Sequence, residues 1–339
     1  MNRAAAFAAI TLCLPSAAAG AERWEAAEIA RIERLADIAA GPAPGTVLAR
    51  TANGTFALSW QDGRLAMRRT AVAPPPAGTI PHARAGHGRA SIGAAFLAEP
   101  TRRYRHGVLG DDIEAGAVVA FPPGAAPPEN LRGAPLRFAL PDDSVFEDLV
   151  PRVADLDGDG RDEIVLVRSY RERGAALAVL GVRDGRLAIL AESPSLGRPN
   201  RWLDVAGIGD FLGLGRKRLQ IAVVETPHIG GVLVVYEYAG GRLVERLRRP
   251  GFATHAIGSP VIGMAAVLGG GRTDGLVVPT PDRRALVALT FAGGAPREAA
   301  RVSLPAPVAT AIVPVAPEAG RPPDLIFGTA DGRLLRVRR

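Results

Sequence analysis

Nine residues carry the clearest chemistry in this chain: Asp155-Leu156-Asp157-Gly158-Asp159-Gly160-Arg161-Asp162-Glu163. Acidic side chains fall at loop positions 1, 3, 5 and 9, and glycines at positions 4 and 6 allow the sharp turns that bring those oxygens together. Carboxylates this close repel one another unless a cation sits among them. A hard, oxygen-loving ion suits the set, and Ca2+ suits it best. The competing explanation is a loop of self-capping Asx turns that is acidic without a metal.

The flanks narrow the choice. A helical EF-hand loop has a bidentate Glu at position 12, and that position here is Leu166. Ile164, Val165 and Val167 form an apolar, β-branched run, which predicts a strand. A metal loop closed at position 9 and running into a strand resembles the FG-GAP/VCBS repeats of integrin-α-like β-propellers. The resemblance implies that Asp155, Asp157, Asp159 and Glu163 ligate by side chain and Arg161 by its backbone carbonyl.

Short strands joined by tight turns must position this loop. Asp62-Gly63, Asp184-Gly185, Gly240-Gly241 and Asp331-Gly332 each separate strand-like runs, a hairpin signal. The segment from Val150 to Ala191 reads as four strands. A second copy begins at Asp204, a third is centred on Leu276–Pro279, and a fourth ends in Arg333–Val337. Four-stranded units at this period predict an all-β fold, a β-propeller of six to seven blades. Thr46–Gly54 echoes Phe327–Gly332, and the last repeat stops after its third strand. An N-terminal strand is therefore expected to complete the last blade. In the second copy Asp210 remains, but Leu212 and Leu214 replace the acids at positions 3 and 5; in the third only Asp274 survives. One calcium site is expected. Ahead of the β region, the helical spacing of Ile29, Ile32, Leu35, Ala36 and Ala39 predicts a short helix within an N-terminal segment 22–45, leaving 46–339 as the propeller. Pro74-Pro75-Pro76 and the stretch around Pro122–Pro128 read as rigid loops.

Composition agrees with many short strands: 47% of residues are hydrophobic, only 5% are aromatic, and there are 40 Gly and 29 Pro. Residues 1–21 read as a cleaved signal peptide, with Arg3, an apolar stretch from Ala4 to Leu14, and Ala19-Gly20-Ala21 before Glu22. The apolar run is too short to span a membrane. A periplasmic or secreted location follows, and cleavage would remove Cys13, the sole cysteine. The net charge of +7 comes almost wholly from arginine, since Lys217 is the only lysine. An anionic envelope surface is a candidate partner, whereas no basic stripe interleaved with aromatics speaks for nucleic acid.

No nucleophile elbow, phosphate loop or dinucleotide fingerprint occurs. His82, His87 and His106, followed by Asp111, Asp112 and Glu114, have no recognised metal spacing. Glu147, Trp202 and Gly258 occupy matching places just before three innermost strands, where a propeller has its channel mouth. They would form either a ligand rim or buried packing. The expected function is an exported calcium-binding propeller that binds a protein or glycan as a scaffold, the calcium being structural. The alternative is a hydrolase or lyase acting on envelope polysaccharide through mouth carboxylates such as Glu147 and Asp148.

Overall fold

The computed structural model describes residues 24–61, 64–126, 128–316 and 322–338. The signal peptide expected over residues 1–21 and the Asp62-Gly63 turn lie outside them. The chain is a β-propeller, and among the described residues 25 strands form six four-stranded antiparallel blades plus one bridging strand. Counted from the axis outward, blade 1 is Leu35–Ala40, Val47–Thr51, Gly54–Gln61 and Arg64–Thr70. Blade 2 is Gly86–His87, Ala94–Thr101, Glu114–Phe121 and Leu136–Ala139. Blade 3 is Arg152–Ala154, Glu163–Tyr170, Gly174–Arg183 and Arg186–Glu192, and blade 4 is Leu203–Gly209, Gln220–Glu225, Val232–Ala239 and Arg242–Pro250. Blade 5 is Ala266–Leu268, Gly275–Pro279, Ala285–Thr290 and Arg297–Ser303. The bridging strand, Ser144–Phe146, pairs with the second strand of blade 3 and touches the third strand of blade 2, joining the two into one continuous sheet.

Blade 6 is closed by both ends of the chain. Val313–Val315, Asp324–Gly328 and Arg333–Arg338 supply three strands, and Glu25–Arg31 pairs on the outside, with Ala26 opposite Val337. The N-terminal segment therefore closes the ring, but as a strand rather than the predicted helix. Apolar residues three and four apart there belong to two strands and the turn between them. Ile32 in the turn and Ile38 in the second strand are buried against Val47, Ile326 and Leu334, with Ile29 and Leu35 packed alongside. Pairing with a strand some three hundred residues away in sequence overrides the local period. Thr46–Gly54 and Phe327–Gly332 resemble each other because both contain the end of a blade's second strand and the turn that follows it.

The blades bury themselves against one another. Every residue of Glu163–Tyr170 is buried, as are the first eight of Gly174–Arg183, so blade 3 is wedged on both faces between its neighbours. Turns between first and second strands lie on one face of the ring. Loops between second and third strands, and the crossings from blade to blade, lie on the other. The acidic loop is on the first face; Glu147, Trp202 and Gly258 are on the second.

Candidate functional site

The acidic loop joins the first and second strands of blade 3, and its backbone is folded around its own carboxylates. Asp155 Oδ1 accepts from Gly158 N at 2.7 Å and Oδ2 from Gly160 N at 3.0 Å. Asp157 accepts from Asp159 N and Asp159 from Arg161 N, at 3.3 and 2.8 Å. Gly158 has φ of +76° and packs so tightly on blade 4 that a Cβ there would lie 2.5 Å from the Lys217 carbonyl oxygen. Oxygens of Asp155, Asp157 and Asp159 all lie within 4.8 Å of one another. Glu163, at the start of the second strand, is 4% exposed and accepts from Leu156 N at 2.9 Å. Burial, with the three aspartates adding to it, pushes the Glu163 carboxyl up to about 7. The donor set is all oxygen and short of positive charge, which fits a hard divalent cation.

Asp162 does different work. Its Oδ2 accepts from the amides of Ala90, Ser91 and Ile92 at 2.8, 2.8 and 3.0 Å, latching the loop to blade 2. Asp274, in blade 5, repeats this latch on blade 4. It accepts from Asp210 N at 2.8 Å and pairs with both terminal nitrogens of Arg216. The sequence marks Asp274 as a leftover ligand, whereas the structure gives it this bridging place between blades.

The opposite face is capped. Residues 102–113, between the second and third strands of blade 2, reach toward blade 5, where Gly258 N donates to Val108 O at 2.9 Å. Tyr104, Val108 and Leu109 are the buried side chains of this strap, and Asn200 N donates to the Tyr104 hydroxyl at 3.1 Å. Beneath it Glu147 is fully buried. His106 Nδ1 lies 2.7 Å from Glu147 Oε1, Ser169 donates to Oε2, and Trp202 Nε1 donates to the Glu147 carbonyl at 2.9 Å. Glu147 and Trp202 therefore do meet, as a closed packing unit and not as an open rim. Asp148 is also buried; it pairs with Arg152 and accepts from Val167 N.

Several buried groups here have unusual proton affinities. Burial, then the neighbouring Glu147, pushes Glu114 up to about 10, so it is a neutral carboxyl at neutral pH. Burial pushes Asp204 up to about 7, although Arg152 stands 3.8 Å away. His255 is held down to about 4 by burial; it donates from Nε2 to Ser259 O at 2.8 Å and meets Trp202 edge-to-face at 4.8 Å between ring centroids. His228, in the loop between the second and third strands of blade 4, lies 5.9 Å from His255 between ring centroids. The histidines and acids between His82 and Glu114 do not gather into one site. His82 approaches Asp111 at 3.8 Å, Arg102 pairs with Asp112, His106 joins Glu147, and His87 faces the gap between blades 1 and 2. What sequence reading misses is the strap, because only the assembled ring shows which residues it covers.

No family model matches the chain, and no curated protein matches it. Among solved structures it is similar to the WD40 domain of Toxoplasma gondii coronin, with 11% identity over 94% of this chain and 87% of that one and a TM-score of 0.47. It is also similar to the rhamnogalacturonan lyase YesW (14% identity, 88% of this chain, 58% of that chain, TM-score 0.45). A third likeness is the exotype rhamnogalacturonan lyase YesX (14% identity, 85% of this chain, 62% of that chain, TM-score 0.40). The chain thus spans about three fifths of the length of either lyase. At this level of similarity the likenesses carry no argument, and the fold and blade count rest on this chain's own strand pairing.

Proposed function

We propose that this protein is a calcium-stabilised β-propeller of the FG-GAP/VCBS kind, exported and acting as a protein- or glycan-binding scaffold. The observation that supports this reading most is the convergence of Asp155, Asp157 and Asp159 beside the buried Glu163, on a backbone already folded around them. Those four side chains and the Arg161 carbonyl would hold the ion. The ion would supply charge neutralisation and a cross-link between the loop and the start of the second strand, with no part in a reaction. Among the described residues no helix is long and apolar enough to cross a membrane.

Thermal unfolding in excess chelator and then in millimolar Ca2+ tests this, with Asp157→Ala alongside. Native-state binding adds about 2.7 kcal/mol when free ligand is a hundred times its dissociation constant. A rise of a few degrees that Asp157→Ala removes supports the reading, and an unchanged midpoint in the wild type rejects it. The second reading, a hydrolase or lyase of envelope polysaccharide, draws on the His106–Glu147–Ser169 arrangement. It requires the 102–113 strap to move, since Glu147 has no exposed surface. Glu147→Gln would abolish turnover under that reading and leave partner binding intact under the first.

A further inference from the structure

Blades 1 and 2 do not close on each other as the other blades do. A cleft of about 710 Å³ lies between them. Its walls are apolar, built from Ile38 and Leu48 of blade 1, Phe96 of blade 2, and the Val72–Pro76 segment that joins the blades. The residue that follows this segment is pinned: Ala77 N donates to Glu129 O and Leu131 N to Ala77 O, both at 2.9 Å. Three consecutive prolines stiffen the wall further.

At the inner end the cleft changes character. Asp37 Oδ1 accepts from Ala311 N of blade 6 at 3.0 Å. Its Oδ2 lies between two guanidinium groups, 3.6 Å from Arg50 and 3.9 Å from Arg84, too far for a hydrogen bond to either. The two arginine side chains are 43% and 39% exposed and make no other side-chain hydrogen bond or ion pair among the described residues. Two cations thus face one carboxylate, and their planar donor forks remain open toward the cleft. Burial lowers the proton affinity of Arg84, and Arg50 and Arg152 lower it further, while Asp37 and Asp148 act in the opposite sense. A guanidinium fork matches a carboxylate in two-point geometry.

We propose that this cleft binds a small organic carboxylate with an apolar body, its anionic end taken by Arg50 and Arg84 and its body lying against Leu48 and Phe96. The site is separate from the acidic loop, so its occupancy is independent of calcium.

Titration of the intact protein with phenylacetate, followed by backbone and methyl NMR, tests the proposal. Phenylacetamide, inorganic phosphate and benzylamine serve as comparison probes. The expected result is shifts at Ile38, Leu48 and Phe96 with phenylacetate, and binding at least about tenfold weaker for the amide, since one charge-assisted contact is lost. Arg50→Lys and Arg84→Lys keep the charge but lose the fork, and each should weaken phenylacetate at least about threefold; the Gln variants should weaken it more. Arg89→Gln, outside the cleft lining, should bind as wild type. Equal binding of acid and amide, equal shifts with phosphate, or no shift at these residues at millimolar phenylacetate would each overturn the proposal. Unchanged affinity in both Lys and both Gln variants would do the same. Should a Gln variant fail to fold, the Lys pair still decides.

Discussion

The turn between the first two strands is built twice from nearly the same parts, in blade 3 with a cluster of carboxylates and in blade 4 with that of Asp210 alone. Asp155 caps two amides of its own loop, and Asp210 does likewise, accepting from Leu214 N and Gly215 N at 2.8 and 3.0 Å. Glu163 receives Leu156 N, and in blade 4 the neutral Gln220 receives Leu212 N at 2.8 Å. Each turn is tied to a neighbouring blade by a buried aspartate, Asp162 in one case and Asp274 in the other. The turn therefore forms with Leu212 and Leu214 in the places of Asp157 and Asp159. Backbone folding does not demand the extra carboxylates, and their repulsion is a cost that a bound cation would offset.

The largest effects should come from the ties that both blades share. Asp162→Ala leaves three amides without their acceptor, and Asp274→Ala strands Asp210 N and Arg216. Each should cost about 3–5 kcal/mol by chemical denaturation, equally in chelator and in calcium. A calcium-dependent cost for Asp274→Ala would break the comparison, because it would mean blade 4 also responds to the ion. Next come the capping aspartates. Asp210→Ala and Asp155→Ala should each lose about 2–3 kcal/mol in chelator. Only Asp155→Ala should also lose the further calcium increment.

A subtler exchange makes blade 3 resemble blade 4. Glu163→Gln keeps an acceptor for Leu156 N while removing the buried charge, so stability in chelator should change by about 1 kcal/mol or less. Calcium affinity, measured by titration calorimetry, should fall about tenfold or more. An unchanged affinity would remove Glu163 from the ligand set.

A pH test separates the loop from the capped mouth. Asp204 has its proton affinity raised in the folded state, from the ordinary 3.8 to about 7. The folded chain then holds a proton that the unfolded chain releases. That contribution is complete below about pH 4 and is lost as pH rises toward 7. Asp204→Asn should flatten the midpoint-versus-pH curve in this window and leave the calcium shift as it was. A calcium shift altered by Asp204→Asn would mean that the two faces are coupled.

Much of this architecture is legible in the residues. Asp184 and Gly185, with φ of 51° and 73°, and Gly240 and Gly241, with 59° and 72°, form the hairpin turns their types predict. Blade 3 runs from Arg152 to Glu192 where Val150 to Ala191 is expected, and blade 4 begins at Leu203, one residue before the expected Asp204. The acidic loop is equally plain, since its carboxylates are neighbours in sequence and its glycines dictate the backbone. Such features are local, and local chemistry decides them. Three others depend on residues far apart in the chain, and the ring alone decides them. Glu25–Arg31 is a strand because Arg333–Arg338 offers it an open edge. Glu147 is sealed rather than presented because residues 102–113 cross above it to Gly258. Arg50 and Arg84 share a cleft because blades 1 and 2 stand apart, and no spacing in the sequence measures the distance between two blades.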